Sequence, residues 1–198
     1  DLDSIGASYG LYSHLRKKYD VSILLNKQNT LGRPLIDLIC YTDTDCKFLG
    51  ESDIDQIIRS ETVLIVVDTH RSGMVESPQV LAAAKKIVLF DHHRKSPDFI
   101  DHAVLTYHEA YASSTAELIT EMIQHIGKKV KLKPIEADAL LAGITVDTKN
   151  FAVKTGAITF EAAGFLRRNG ADSIRVRMLF QNDIESYKAK ATAVRDAE

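Results

Sequence analysis

Acidic residues stand directly after three short apolar runs of this sequence. The runs are 63–67, 87–90 and 142–146, and the residues that follow them are Asp68, Asp91 and Asp147. If each run is a strand of one open α/β sheet, the three carboxylates collect at the carboxyl edge, where ligands bind. Crowded carboxylates repel one another and raise each other's pKa values. Divalent cations are the simplest means of holding them together, so the pattern predicts a metal site.

Two other groups of residues extend this candidate site. Asp1 and Asp3 flank a single residue and could address two neighbouring cations from one turn, while His92 and His93 directly follow Asp91. Carboxylate oxygens with one or two imidazoles suit Mn²⁺ or Mg²⁺. Two such ions ~3.5–4 Å apart form a clamp for in-line attack on phosphorus. A single Asp after a strand is more often a turn or cap residue, but four acidic positions in one arrangement favour the metal site.

Six further residues are candidate substrate contacts: His70, Arg71, Ser113, Ser114, Lys149 and Asn150. The first pair follows Asp68 and could meet a phosphate, although a solvated loop explains it equally well. The two serines open a predicted helix whose N-terminus could bind an anion, although capping is the favoured interpretation. The last pair lies just past Asp147.

The composition is that of an ordinary globular protein. The chain has 198 residues, 45% hydrophobic and 26% charged, which suits one domain or one domain with a helical extension. Twenty-five basic and twenty-seven acidic residues offer no electrostatic case for binding duplex nucleic acid. No run approaches the ~18 apolar residues of a membrane span, and no signal-peptide pattern is present. The two cysteines, Cys40 and Cys46, are interpreted as free thiols.

The elements predicted from local patterns alternate between helix and strand. They are helix 4–18, strand 21–25, loop 26–34, helix 53–60, strand 62–67, a helix from Ser77, strand 87–90, a helix from Ser114 to about His125, helix 134–143, helix 159–169, and helix from 172 to the end. The predicted fold is α/β, with a mainly parallel sheet, helices on both faces and a C-terminal helical connector. A right-handed crossover puts Asp68 and Asp91 at the same end of neighbouring strands.

The same residues resemble a known family. Asp91-His92-His93 after a hydrophobic strand is similar to the signature of the DHH phosphoesterases. Further motifs of that family occur in order across essentially the whole chain: 1–7, 67–71, 112–117 and 143–148. Residues 143–151, 159–172 and 179–198 most resemble the bacterial membrane-anchored phosphodiesterases that hydrolyse cyclic di-AMP.

The resemblance implies a role for each motif residue. Two Mn²⁺ ions are expected, one held by Asp1 and Asp68 and the other by Asp3, Asp68, His92 and Asp147, with Asp68 bridging. Asp91 resembles an acid that orients a histidine through its ring N–H. His93 is expected beside the phosphate, where it stabilises charge or protonates the leaving oxygen. A water between the two ions is expected to be the nucleophile.

The resemblance also implies a longer parent protein. Residues 1–182 correspond to the DHH catalytic domain, and 183–198 to a helical linker toward a DHH-associated domain that the chain lacks. The family places a histidine ligand upstream of the first motif aspartate, so the first metal site is incomplete here. The chain alone is therefore expected to be weakly active or inactive. The parent is expected to be membrane-anchored and homodimeric, with this domain in the cytoplasm.

The predicted function is hydrolysis of cyclic di-AMP to linear pApA by a water that two manganese ions activate. One alternative is a short-oligonucleotide exonuclease of the same superfamily, acting on small RNAs or pApA. Another is a regulatory nucleotide-binding module without chemistry. An inorganic pyrophosphatase is less favoured, because the match beyond the motifs points elsewhere.

Overall fold

Parallel strands surrounded by helices make up the fold. The computed structural model describes residues 1–25, 31–56, 58–126 and 130–180. The helices are α1 Leu2–Leu15, α2 Arg33–Thr42, α3 Pro78–Ala83, α4 Thr115–Ile126, α5 Pro134–Asp147, α6 Ala157–Arg168 and α7 Ser173–Met178. The strands are β1 Ile23–Leu24, β2 Phe48–Leu49, β3 Val63–Val67, β4 Lys86–Asp91 and β5 Leu105–His108. Two 3₁₀ turns span Glu51–Gln56 and Ser72–Met74.

All the described strand pairs are parallel. β1 pairs with β2, and β3, β4 and β5 form a second sheet in that order. Val67 lies opposite Phe90, so Asp68 and Asp91 come next to each other at the carboxyl edge. The α/β class and the parallel β3–β4 pair, both predicted from the sequence, are confirmed.

The main core forms where α5 packs between α1 and α4. α5 is apolar on nearly all sides, as expected of a central helix, and Leu140 and Ile144 are fully buried. The approach of α1 is very close, because a Cβ on Gly6 would lie 2.3 Å from the carbonyl oxygen of Ala139. This contact brings the first turn of α1 to the last turns of α5.

Three predicted elements differ from those in the structure. The apolar run 142–146 is part of α5 and not a strand, because it continues an Ala- and Leu-rich helix of 14 residues. α1 begins at Leu2, since Asp1 is its N-cap, and not near Ser4. The prediction for 53–60 corresponds to the 3₁₀ turn Glu51–Gln56.

The sequence patterns also left α2, β2 and β5 unpredicted. The connector 183–198 and most of the loop 26–34 lie outside the described residues. None of the helices in the part of the chain that the structure describes has the length and apolar character needed to cross a bilayer.

Candidate metal centre

Asp3 is a fully buried carboxylate in the first turn of α1. Its two oxygens accept hydrogen bonds from the N–H groups of Thr115, at 2.7 Å, and Ala116, at 2.8 Å. It therefore sits at the N-terminus of α4, where the helix dipole favours negative charge. Burial nevertheless raises its pKa well above the usual value, and the nearby charges of Asp68 and Asp147 raise it further.

Asp68 directly follows β3, and its side chain lies near the same helix N-terminus. Its Oδ1 accepts a hydrogen bond of 3.0 Å from the hydroxyl of Thr115, and its side chain is 5% exposed. Burial raises its pKa to about 6, with a further contribution from the charge of Asp147, although hydrogen bonds to the carboxylate oppose the shift. The residue also adopts a φ of +66°, which is uncommon outside glycine.

His92 lies at the centre of these acids. Its Nε2 is 3.1 Å from Asp147 Oδ2, 3.6 Å from Asp68 Oδ1 and 3.7 Å from Asp3 Oδ2. This nitrogen is buried, yet no described group makes a hydrogen bond to it. A buried polar atom without a partner is costly, and one facing three carboxylates is typical of a metal ligand. The residues present therefore fit a divalent cation, and two ligand groups, Asp3–His92–Asp147 and Asp68–His92–His93, each lie within 4.8 Å.

Beside the acids, Asp91 connects two histidines. It is fully buried, and its Oδ1 is 2.8 Å from His93 Nδ1 while its Oδ2 contacts His70 Nδ1. Although burial acts to raise the pKa of Asp91, the hydrogen bonds with His93 and His70 lower it to about 2. The bond to Asp91 in turn raises the pKa of His93.

Comparison with known proteins assigns the chain to a family. Residues 1–144 match the DHH family, N-terminal domain. The chain belongs to the DHH family. This assignment confirms the resemblance on which the site was predicted.

Two curated relatives of this DHH domain are named as cyclic-di-AMP phosphodiesterases. The chain is 37% identical over 198 residues to the cyclic-di-AMP phosphodiesterase GdpP of Bacillus subtilis (strain 168), covering 98% of this chain and 30% of that protein. It is 45% identical over 141 residues to the cyclic-di-AMP phosphodiesterase PdeA of Listeria monocytogenes serotype 1/2a (strain 10403S), covering 71% of this chain and 22% of that protein. The chain thus spans at most about a third of the length of these relatives, and the match supports a phosphoesterase domain.

A solved structure supports the fold. An exopolyphosphatase-related protein from Bacteroides fragilis superposes with a TM-score of 0.77 at 22% identity, over 94% of this chain and 55% of that chain. At this level of identity the similarity supports the α/β fold alone.

Asp1 makes its hydrogen bonds at the start of α1 in this DHH domain. Its side chain accepts hydrogen bonds from the N–H groups of Asp3 and Ser4 at 3.0 and 3.1 Å, so it caps α1. Asp1 is in none of the groups of potential ligands found among the described residues. Both of these hydrogen bonds use Oδ1, so Asp1 caps α1 through one of its two carboxylate oxygens.

The six predicted substrate contacts divide into two sets. Ser113, Ser114 and His70 are at most 1% exposed and bond within the protein, where Ser114 Oγ caps α4 by accepting from the N–H of Glu117 at 3.0 Å. The other three are exposed: Arg71, Lys149 and Asn150. The last two adopt left-handed backbone conformations directly after α5.

Sequence reasoning missed the supporting roles of Thr115 and His108. Thr115 binds Asp3 through its N–H and Asp68 through its hydroxyl; its place directly after the predicted helix cap Ser114 was the available signal. His108 ends β5, where its Nε2 donates to the carbonyl of His93 at 2.6 Å. No local pattern pointed to that contact, because β5 itself was not predicted.

Proposed function

We propose that this domain is a manganese-dependent phosphodiesterase that hydrolyses cyclic di-AMP to linear pApA. The observation that carries the proposal is the unpartnered, buried Nε2 of His92 among three carboxylates. The names of the relatives supply the substrate. Carboxylate and imidazole donors suit Mn²⁺.

The proposed ligands fall into two sets that share Asp68. Asp3, Asp68, His92 and Asp147 would hold one cation, and Asp68 together with Asp1 would contribute to the second. When bound, such cations activate water and stabilise negative charge on phosphate oxygens. The raised pKa values of Asp3 and Asp68 indicate that these carboxylates need positive charge nearby in order to ionise together.

His93 is the proposed catalytic acid, with Asp91 as its partner. His93 places Nδ1 against Asp91, and its side chain is 54% exposed. Its Nε2 is therefore the nitrogen available to a substrate. The raised pKa favours the protonated ring, which would donate a proton to the leaving oxygen or a hydrogen bond to a phosphate oxygen.

The exposed members of the predicted substrate contacts are the proposed binding residues. Arg71, Lys149 and Asn150 would contact a ligand at the rim of the site. The buried His70, Ser113 and Ser114 would act indirectly, by holding other groups in place.

The features of the parent protein are part of the same proposal. Residues 1–182 would form the catalytic domain and 183–198 the linker to a DHH-associated domain in the same chain. The parent would be a membrane-anchored homodimer with this domain in the cytoplasm. These proposals follow the family resemblance.

The test is a substrate comparison on the intact protein with Mn²⁺. We expect turnover of cyclic di-AMP to exceed that of linear pApA, a short RNA and pyrophosphate. His92→Ala should lower kcat/KM at least about 100-fold, because a lost metal ligand removes several kcal/mol of transition-state stabilisation. His102→Ala, at an exposed position in the β4–β5 connection, is the matched control and should be neutral.

Three results would contradict the proposal. Preferred hydrolysis of the short RNA or pApA would identify an exonuclease instead. Tight nucleotide binding without any product would identify a regulatory module. Full activity of His92→Ala would exclude the proposed centre.

A further inference from the structure

His70 is a buried histidine whose ring is held on every side. It is 1% exposed and lies two residues beyond Asp68. Its ring stacks on Phe99 with centroids 5.0 Å apart and meets the edge of His108 at 5.5 Å. Its carbonyl accepts the N–H of Ile100 at 2.8 Å. The ring therefore has a single well-defined position between the end of β3 and the β4–β5 connection.

The hydrogen bonds of His70 determine where its proton lies. The N–H of Ser96 points at Nε2 from 3.0 Å, so this nitrogen presents a lone pair to it. The hydroxyl of Ser96 lies 2.8 Å from the same nitrogen, but its one hydrogen is donated to Asp98 Oδ1 at 2.5 Å, so the hydrogen bond to the Nε2 lone pair comes from the Ser96 N–H. Ser96 thereby fixes the orientation of the ring. The ring proton is left on Nδ1, which donates to Oδ2 of Asp91.

Asp91, held in place by His70, in turn orients the ring of His93. Its Oδ2 is held by His70, while its Oδ1 accepts from the ring Nδ1 of His93 at 2.8 Å and from the His93 backbone N–H at 3.3 Å. A carboxylate bound on both edges cannot rotate freely. Its fixed plane dictates that His93 keeps Nδ1 inward and Nε2 outward.

A packing role alone does not explain these contacts. A core position beside Phe99 is filled at lower cost by an apolar ring, because a buried polar group is unfavourable unless it is hydrogen-bonded. His70 instead uses both ring nitrogens, and one of them binds the acid that orients His93. Residues that orient the groups of a site without touching the substrate typically change activity 10–100-fold when mutated.

We propose that His70, held by Ser96, is a positioning residue that fixes Asp91 and so presents the Nε2 of His93 to the substrate. The inference rests on the proposed function, in which His93 acts on the phosphate. Its structural part concerns only which nitrogens carry protons and which way Asp91 faces, so it can be tested without turnover.

The kinetic test compares three substitutions of His70 in the intact protein. His70→Asn keeps a side-chain N–H near the position of Nδ1, His70→Gln keeps a polar group near Nε2, and His70→Phe keeps only the ring. We expect kcat on cyclic di-AMP to fall about 10–100-fold in the Phe and Gln variants with KM within about twofold. The Asn variant should recover to within about fivefold of wild type. His102→Phe is the matched control and should be neutral.

Comparing kcat between the Asn and Gln variants tests the positioning role even if the Phe variant does not fold. Equal losses in the Asn and Gln variants, or a loss confined to KM, would overturn the positioning role. Unchanged kcat in His70→Phe would do the same.

The spectroscopic test separates this inference from the proposed function. Nitrogen-15 NMR of the histidine rings in the wild-type protein should show a proton on Nδ1 of both His70 and His93, and His70→Gln should disturb the His93 signals. A His70 ring without a proton on Nδ1 would refute the inference. If wild type shows this pattern yet does not cleave cyclic di-AMP, the proposed function fails while the hydrogen-bonded arrangement stands.

Discussion

Asp68 combines two unfavourable features in one residue. Its φ of +66° lies in the left-handed region, and its buried carboxyl has a pKa of about 6. Strained backbone at a non-glycine residue persists where the surrounding structure holds it, often at functional sites. In Asp68 both features accompany a carboxylate that lies 3.6 Å from Nε2 of His92.

Replacing Asp68 should make the metal-free protein more stable and weaken its binding of manganese. Its pKa in the folded protein is raised, so the folded state is stabilised at a pH below the unfolded value near 4 and loses that stability as the pH rises through about 6. Asp68→Asn removes this loss, and Asn tolerates a positive φ. We expect the free energy of unfolding of the metal-free protein at pH 7 to increase by about 1–3 kcal/mol, while manganese affinity falls. Urea denaturation at pH 4 and pH 7 measures the first effect and calorimetric titration the second.

The control for this variant is Asp101→Asn, whose carboxyl is 93% exposed. This variant should change neither the free energy of unfolding nor the manganese affinity. A stability gain equal at both pH values would show that strain, and not charge, is responsible.

Among the elements, the contact of α1 with α5 decides whether Asp3 reaches the site. A Cβ on Gly143 would lie 2.7 Å from Asp3 Oδ1 and 2.7 Å from the Cβ of Ala116. Three helices therefore meet at a point where only hydrogen fits. The glycine is required by close approach and not by backbone conformation.

Gly143→Ala should consequently damage the site through packing. Alanine favours the helix intrinsically, but overpacking a core costs about 1–3 kcal/mol, and the displaced groups include Asp3. We expect a loss of manganese affinity of at least about tenfold, together with lower stability in urea. In Gly164→Ala the new Cβ meets only the end of the Arg168 side chain at 3.4 Å, so this matched variant in α6 should be neutral or slightly stabilising. Normal metal binding by Gly143→Ala would show that the helices can shift apart without consequence.

The stability of the whole molecule depends on pH in two opposing ways. The acids of the metal centre make the metal-free folded protein more stable at low pH than at high pH, because their pKa values are raised. Asp43, which joins α2 to α1, makes the folded protein more stable at high pH. Its Oδ2 lies 2.7 Å from Arg16 and accepts a 2.8 Å hydrogen bond from Tyr9. Burial opposes ionisation of Asp43, but Arg16 and Tyr9 outweigh it and lower the pKa.

Asp43→Asn should therefore destabilise the protein in a pH-dependent manner. A lowered pKa gives stability that is present above the unfolded value and lost as pH falls through the folded value. Breaking a fully buried pair costs about 3–5 kcal/mol. Because 21% of the Arg16 side chain is exposed, we expect a smaller loss of about 1–3 kcal/mol at pH 7, which shrinks toward pH 3. Chemical denaturation across this range measures it, with the exposed Asp45→Asn within about 0.5 kcal/mol of wild type as control. A difference that does not vary with pH would contradict the ionic explanation.

Local patterns were enough to predict the parallel strands β3 and β4 and the edge that they share. Apolar runs followed by Asp68 and Asp91 identify β3 and β4, because strand periodicity and the crossover rule act between neighbours in sequence. The register of Val67 with Phe90 then places the two acids side by side. The ordered motifs were also sufficient to recognise the DHH family.

The remaining contacts required the tertiary structure. Asp147 comes to His92 from the end of a helix, Asp3 reaches Thr115 and Ala116 from more than a hundred residues away, and His70 turns inward to Asp91 instead of outward to solvent. The contacts of Asp147 and Asp3 depend on how α1, α4 and α5 pack. The position of His70 depends also on His108 of β5, a largely exposed strand that the sequence patterns did not predict. Sequence periodicity reports which face of an element is apolar, whereas the meeting of polar groups from distant elements is set by close packing of the core between them.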